Sequence, residues 1–95
     1  MAKIVEFDRF KVIQASAKEM FEAVGSPGIC DYCSERPEHG YYIAVLNKWF
    51  CPKCWKEFKK RAVWNPEDAM IEDRNFTYYG LAIGIDMSQY DSSPA

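Results

Sequence analysis

The chain has 95 residues, a length that supports one domain with a small core, and its 48% apolar and 16% aromatic content excludes a disordered chain. No stretch approaches 18 apolar residues, which argues against a membrane-spanning helix, and the charged opening Met1–Asp8 lacks the apolar run of a secretion signal. We therefore expect an intracellular chain with reduced thiols, and we note that its net charge of −2 conceals six bases and one acid over residues 48–64, followed by one base and six acids over residues 65–95.

The segment Phe10-Lys11-Val12-Ile13 predicts a short strand. It is followed by Ser16-Ala17-Lys18-Glu19, which has the form of a capping box and predicts a helix over Ala17–Val24 that buries Met20, Phe21 and Val24 and stops at Gly25. Ser26-Pro27-Gly28 then makes a turn. Tyr41–Leu46 and Lys48–Phe50 are rich in aromatic and β-branched residues and flank Asn47, as a β-hairpin requires. From Pro52 to Val63, Trp55, Phe58 and Ala62 recur at helical spacing. Asn65-Pro66-Glu67-Asp68 is a helix start or a turn. Phe76, Tyr79 and Ile83 share one face of a helix expected over Asp73–Ile83, which Gly84-Ile85 terminates.

Four cysteines dominate the chemistry. Cys30-Asp31-Tyr32-Cys33 and Cys51-Pro52-Lys53-Cys54 are CxxC pairs separated by 17 residues, so each pair can turn two sulfurs onto one ion and two pairs complete a tetrahedron. Cys30, Cys33, Cys51 and Cys54 are accordingly the expected ligands of one structural zinc ion. Two independent redox dithiols, disulfides and free thiols are the competing assignments. An iron site is a further one, since the second pair looks like half of a rubredoxin. However, Ser34 and Trp55 stand where rubredoxin-like turns usually carry glycine, and the rubredoxin separation is longer.

The order of a CxxC turn, a hairpin and a helix opened by the second CxxC resembles the treble-clef zinc fingers over Ile29–Arg61, and the 17-residue separation is similar to that of GATA-type fingers. In general style the chain also resembles small zinc proteins of bacteria and their phages. The resemblance implies that the four cysteines are metal ligands. It does not extend to sequence-specific DNA reading, because Tyr41-Tyr42-Ile43-Ala44-Val45 replaces the Leu-Trp-Arg-Arg stretch of the GATA-type hairpin.

Four thiolates leave no open coordination position for a catalytic water, so no enzyme is expected. His39, the only histidine, has neither the His-x-Glu context of a zinc deaminase nor a second histidine on the following helix, and is expected to be exposed. Lys53, Lys56, Lys59, Lys60 and Arg61, with Lys48 beside them, are candidate phosphate contacts on the second helix. Equally, they are a solvated face neutralised by Glu67, Asp68, Glu72 and Asp73. Of the fifteen aromatic residues, Trp49, Trp55, Phe58 and Phe76 are expected in the core with Ile43 and Val45; Tyr41, Tyr42, Trp64, Tyr78, Tyr79 and Tyr90 are candidates for a surface patch.

The expected fold is thus a small α+β domain over residues 1–87, with a treble-clef-like zinc core over residues 29–63 framed by an N-terminal strand and helix and a C-terminal helix. Residues 88–95 form a polar tail without fixed structure. The expected function is a non-enzymatic zinc-binding module or adaptor that engages a protein partner through an aromatic surface; the alternative is a nucleic-acid-binding finger that uses residues 53–61.

Overall fold

The computed structural model describes residues 2–7, 9–25 and 28–85. The turn at Ser26-Pro27, the expected tail over residues 88–95 and Tyr90 lie outside the described residues. Among the described residues the fold is α+β, with four strands in one antiparallel sheet and three α-helices. The strands are β1 (Lys3–Phe7), β2 (Phe10–Ser16), β3 (His39–Ile43) and β4 (Lys48–Phe50), and they neighbour one another in sequence order. The helices are α1 (Ala17–Val24), α2 (Pro52–Arg61) and α3 (Ala69–Ile83), with a 3-10 turn at Pro66–Asp68 leading into α3.

Strand β1 is not among the sequence expectations. It pairs with β2 from Lys3 opposite Gln14 to Phe7 opposite Phe10. Both faces of the sheet are covered, which explains why the apolar residues of β2, Phe10, Val12, Ile13 and Ala15, do not keep a strict alternation. Phe10 and Val12 of β2, Ile43 of β3 and Phe50 of β4 pack with Trp55 and Phe58 of α2. Ile13 and Ala15 of β2, Tyr42 of β3 and Trp49 of β4 pack on the opposite side with Met20 of α1 and Phe76 of α3. The sheet therefore stands between α2 and the pair α1 and α3.

The local signals at α1 act as the sequence requires. Glu19 N donates to Ser16 Oγ at 3.0 Å and Ser16 N donates to Glu19 Oε1 at 2.9 Å, closing the capping box. Gly25 ends the helix in the left-handed region at φ 73°. Met20 is buried, whereas Phe21, expected inside, is 64% exposed. The hairpin turns at residues 44–47, and Asn47 adopts φ 56° while its Oδ1 accepts the Tyr42 hydroxyl at 2.6 Å. Gly40 is required in β3 because a Cβ there would lie 2.5 Å from the Phe50 carbonyl and 2.7 Å from the Trp49 ring.

Helix α3 begins at Ala69, four residues before its expected start, because the 3-10 turn of Pro66–Asp68 continues directly into it. Its inward side carries Glu72, Phe76 and Gly80, all buried. The outward side exposes Met70, Ile71, Tyr78 and Leu81. Apolar side chains on both sides blur the helical period, and this is why the first turn was not legible.

Candidate metal centre

The first cysteine pair sits on a turn between α1 and β3. Cys30 N donates to the Glu35 carbonyl at 2.8 Å and Ser34 N donates to the Cys30 carbonyl at 3.0 Å, folding residues 30–35 back on themselves. Ser34 takes φ 66° to close this turn, the left-handed conformation that glycine would adopt without penalty. Tyr32 N also donates to Cys30 Sγ at 3.4 Å.

The second pair is built differently. Cys51 is the N-cap residue of α2, Pro52 occupies its first turn, and Trp55 N donates to the Cys51 carbonyl at 2.9 Å. Trp55 is therefore a helical residue whose ring enters the core, so the glycine of a second rubredoxin-like turn has no place here. Cys54 lies one turn into α2, with the positive end of the helix dipole beside both sulfurs.

These elements converge. The four Sγ atoms of Cys30, Cys33, Cys51 and Cys54 all lie within 4.8 Å of one another, and the Cys33 and Cys51 sulfurs are 3.6 Å apart. A tetrahedral ion with metal–sulfur bonds of about 2.3 Å has sulfur–sulfur edges of about 3.8 Å. The spacing fits four thiolates around one ion and is far too long for a disulfide. Cys30, Cys51 and Cys54 are buried, while Cys33 is exposed on the outer side of the cluster. The arrangement is consistent with a zinc-stabilised domain, with four cysteines placed to hold a metal ion.

The electrostatics of the cluster favour a cation. Burial opposes charge on Cys30, but backbone N–H groups of Cys33, Cys51 and Tyr32 outweigh it and bring its thiol down to about 7. Cys54 is driven up by burial and by the sulfurs of Cys33, Cys51 and Cys30. At Cys33 the Glu35 backbone N–H favours the thiolate, yet desolvation and the sulfurs of Cys30 and Cys51 raise its pKa on balance. Negative charge is thus accommodated on Cys30 and resisted on Cys33 and Cys54, unless a divalent ion lies among them.

Strand β4 braces the first turn. Asp31 N donates to the Trp49 carbonyl at 2.9 Å, and Trp49 N donates to Asp31 Oδ2 at 2.8 Å. The Tyr32 ring stands edge-on to Phe50 at 5.8 Å, with the Arg61 guanidinium 5.4 Å over it. Between this turn and α2 opens a cleft of about 650 Å³, lined by Tyr32, Arg36, Pro37, Pro52 and Lys53 together with the cysteines. Neither the role of Asp31 nor this cleft figured in the sequence reading; an acid inside a CxxC is the available signal for the former.

The remaining candidate residues divide sharply. Lys53, Lys56, Lys59, Lys60 and Arg61 are all exposed on α2, and among the described residues only Lys60 has a carboxylate partner, Glu57 at 3.0 Å. Lys59 lies 5.4 Å over the Trp55 ring. Two of the four acids considered as neutralising this face are engaged elsewhere. Glu72 is buried beneath α3 and accepts from Lys11 N and Trp64 Nε1 at 3.0 Å each, while Asp73 pairs with Lys11.

Of the expected aromatic patch, Tyr42 is buried and Tyr41, Trp64 and Tyr79 are half-buried. Tyr42 is 1% exposed and stacks on Tyr79 at 3.9 Å between ring centres, so it offers nothing to a partner. Burial and the neighbouring Tyr79 raise the Tyr42 phenol well above its ordinary value. Tyr41 is half-buried and stacked on Trp55, and Trp64 is half-buried by its bond to Glu72. Tyr78 is exposed. His39 is also exposed, at the start of β3 and outside the metal cluster.

Comparison with known proteins adds no family: no family model matches the chain, and no curated protein or solved structure matches it. No helix among the described residues is long and apolar enough to cross a membrane.

Proposed function

We propose that this chain is a non-enzymatic, zinc-stabilised binding module of treble-clef type whose working face is the cationic side of α2, and that its partner is nucleic acid. The observation that carries this is the placement of α2. Five exposed cations occupy ten residues, while Glu72 and Asp73 are engaged by Lys11 and Trp64 rather than by these cations. Exposed cations, of which only Lys60 has a carboxylate partner among the described residues, release counterions when they meet phosphates, which supplies affinity without base reading. The order of turn, hairpin and helix, with the second cysteine pair opening α2, supports the treble-clef assignment.

Zinc suits a closed set of four thiolates better than the harder divalent ions do. When bound, it ties the turn at residues 30–35 to the start of α2 and so fixes the cationic helix against the sheet. Four sulfurs fill a tetrahedral ion and leave no position for water, which supports a structural role.

Metal analysis of the purified protein should give one zinc per chain, and chelation should abolish its far-ultraviolet circular dichroism signal reversibly. The metal-loaded protein should be retained on immobilised nucleic acid at low salt, with retention falling steeply as salt rises and lost in the Lys56→Glu/Lys59→Glu/Lys60→Glu variant. Absence of retention by wild type at low salt would refute the nucleic-acid reading.

A protein partner remains the second reading. The exposed Met70, Ile71, Tyr78 and Leu81 on α3 favour it, since they form one apolar stripe on the side of the sheet away from α2. Tyr78→Ala should then weaken capture of a specific partner while leaving nucleic-acid retention intact.

A further inference from the structure

The cleft has Cys33, Cys51 and Cys54 of the metal cluster in its wall and extends past them to Tyr32, Arg36 and Pro37, and most of the surface it presents is apolar. Its volume of about 650 Å³ far exceeds what one metal ion occupies and falls in the range of sites that seat small organic groups. Tyr32 is 63% exposed on its lip, a large share for an aromatic side chain that is nonetheless held in place, with Phe50 at its edge and Arg61 over its ring. A ring fixed in this way loses little conformational freedom when a second ring stacks on it. Arg36 and Lys53 line the cleft together with Glu35 and Glu57, and Glu57 is engaged by Lys60. Lys53 belongs both to the cleft and to the exposed cations of α2, so the two features are continuous.

A largely apolar recess with an exposed aromatic ring, lined by Arg36 and Lys53 as well as Glu35 and Glu57 and continuous through Lys53 with the cations of α2, matches the chemistry of an unpaired nucleotide, whose base has a flat π-face and whose backbone is anionic. Bases inside a duplex are stacked and cannot enter such a recess. We propose that the cleft between residues 30–37 and α2 seats one base of a single-stranded nucleic acid against Tyr32, while the cations of α2 hold the adjoining backbone. This rests on the assignment of α2 as a nucleic-acid face and adds to it a choice of strand state.

The test uses the zinc-loaded protein and a fluorescent oligothymidylate of about 12 nucleotides, with polarisation as the readout. Unlabelled duplex and polyglutamate serve as competitors. Tyr32→Ala should weaken single-strand binding roughly 10-fold or more without changing the salt slope, because no charge is removed, and Tyr32→Phe should bind like wild type. The Lys56→Glu/Lys59→Glu/Lys60→Glu variant should instead lower both affinity and slope. Duplex should compete at least 10-fold less well than the single strand.

Wild-type affinity in Tyr32→Ala, or equal competition by duplex, would overturn the base cleft while leaving the cationic face standing. No binding of either nucleic acid at low salt would overturn both, and displacement of the oligonucleotide by polyglutamate at equal charge would point to an acidic protein partner and overturn the cleft assignment. Should Tyr32→Ala fail to load zinc, ultraviolet crosslinking of a strand carrying 4-thiothymidine to the wild-type protein decides the matter. Adducts are expected on Tyr32, and adducts confined to the lysines of α2 would overturn the proposal.

Discussion

Asp31 and Trp49 bond to each other twice, each backbone N–H donating to an oxygen of the other residue, one a carbonyl and one a carboxylate. The turn bearing Cys30 and Cys33 is in this way held to β4, which itself leads directly into Cys51. Asp31→Ala leaves the Trp49 N–H without its acceptor and should cost about 1–2 kcal/mol. Zinc should then pass to a competing chelator at lower chelator concentration than in wild type, and Asp31→Asn, which keeps an acceptor, should restore most of the difference.

Ser34 and Asn47 both hold positive φ angles, 66° and 56°, but they should respond in opposite ways to glycine. Ser34→Gly relieves left-handed strain at an exposed turn and should raise stability by about 0.5–1 kcal/mol. Asn47→Gly relieves similar strain but removes the acceptor of the buried Tyr42 hydroxyl, and should lower stability by about 1 kcal/mol. Urea unfolding of the zinc-loaded variants compares the two directly.

Glu72 joins three distant parts of the chain, since its carboxylate accepts from Lys11 in β2 and from Trp64 in the segment after α2. Glu72→Ala orphans both donors and should cost about 2–4 kcal/mol. Trp64 loses its anchor in that variant, so its emission should shift to the red before global unfolding.

Glu19 sets an acid limit on stability. Burial disfavours its charge, but the backbone N–H groups of Ser16 and Ala2 outweigh this and hold its pKa below the ordinary 4.5. The unfolded chain therefore takes up the proton more readily than the folded one. The contribution of Glu19 is complete above the ordinary value and is lost as pH falls through the lower, folded-state value. Thermal midpoints between roughly pH 6 and pH 3 should consequently fall more steeply for wild type than for Glu19→Gln.

What the sequence disclosed was local. The capping box at Ser16, the stop at Gly25, the turn at Asn47 and the two cysteine pairs each depend on residues within a few positions of one another, and all are found at the expected places. Strand β1 was missed because Ile4, Val5 and Phe7 divide between two buried faces and show no period of two. Tyr42 was placed outside because a tyrosine beside another tyrosine in a hairpin does not reveal that a helix begun at Ala69 will stack Tyr79 upon it. Glu72 was read as one charge in an acidic run, and only its bond to Lys11, 61 residues away, shows it to be interior.

The position of the sheet between α2 and α3 gives the molecule an electrical axis. With five bases against the single acid Glu57 on α2, and with Glu19, Glu22, Glu72 and Asp73 against Lys18 and Arg74 on α1 and α3, the small formal charge describes neither side. Near a polyanion such a body experiences a torque before it experiences net attraction, and it should arrive α2 first. It should accordingly bind both cation and anion exchangers at one pH, each through a different flank, although its isoelectric point of about 5.3 assigns it to only one of them.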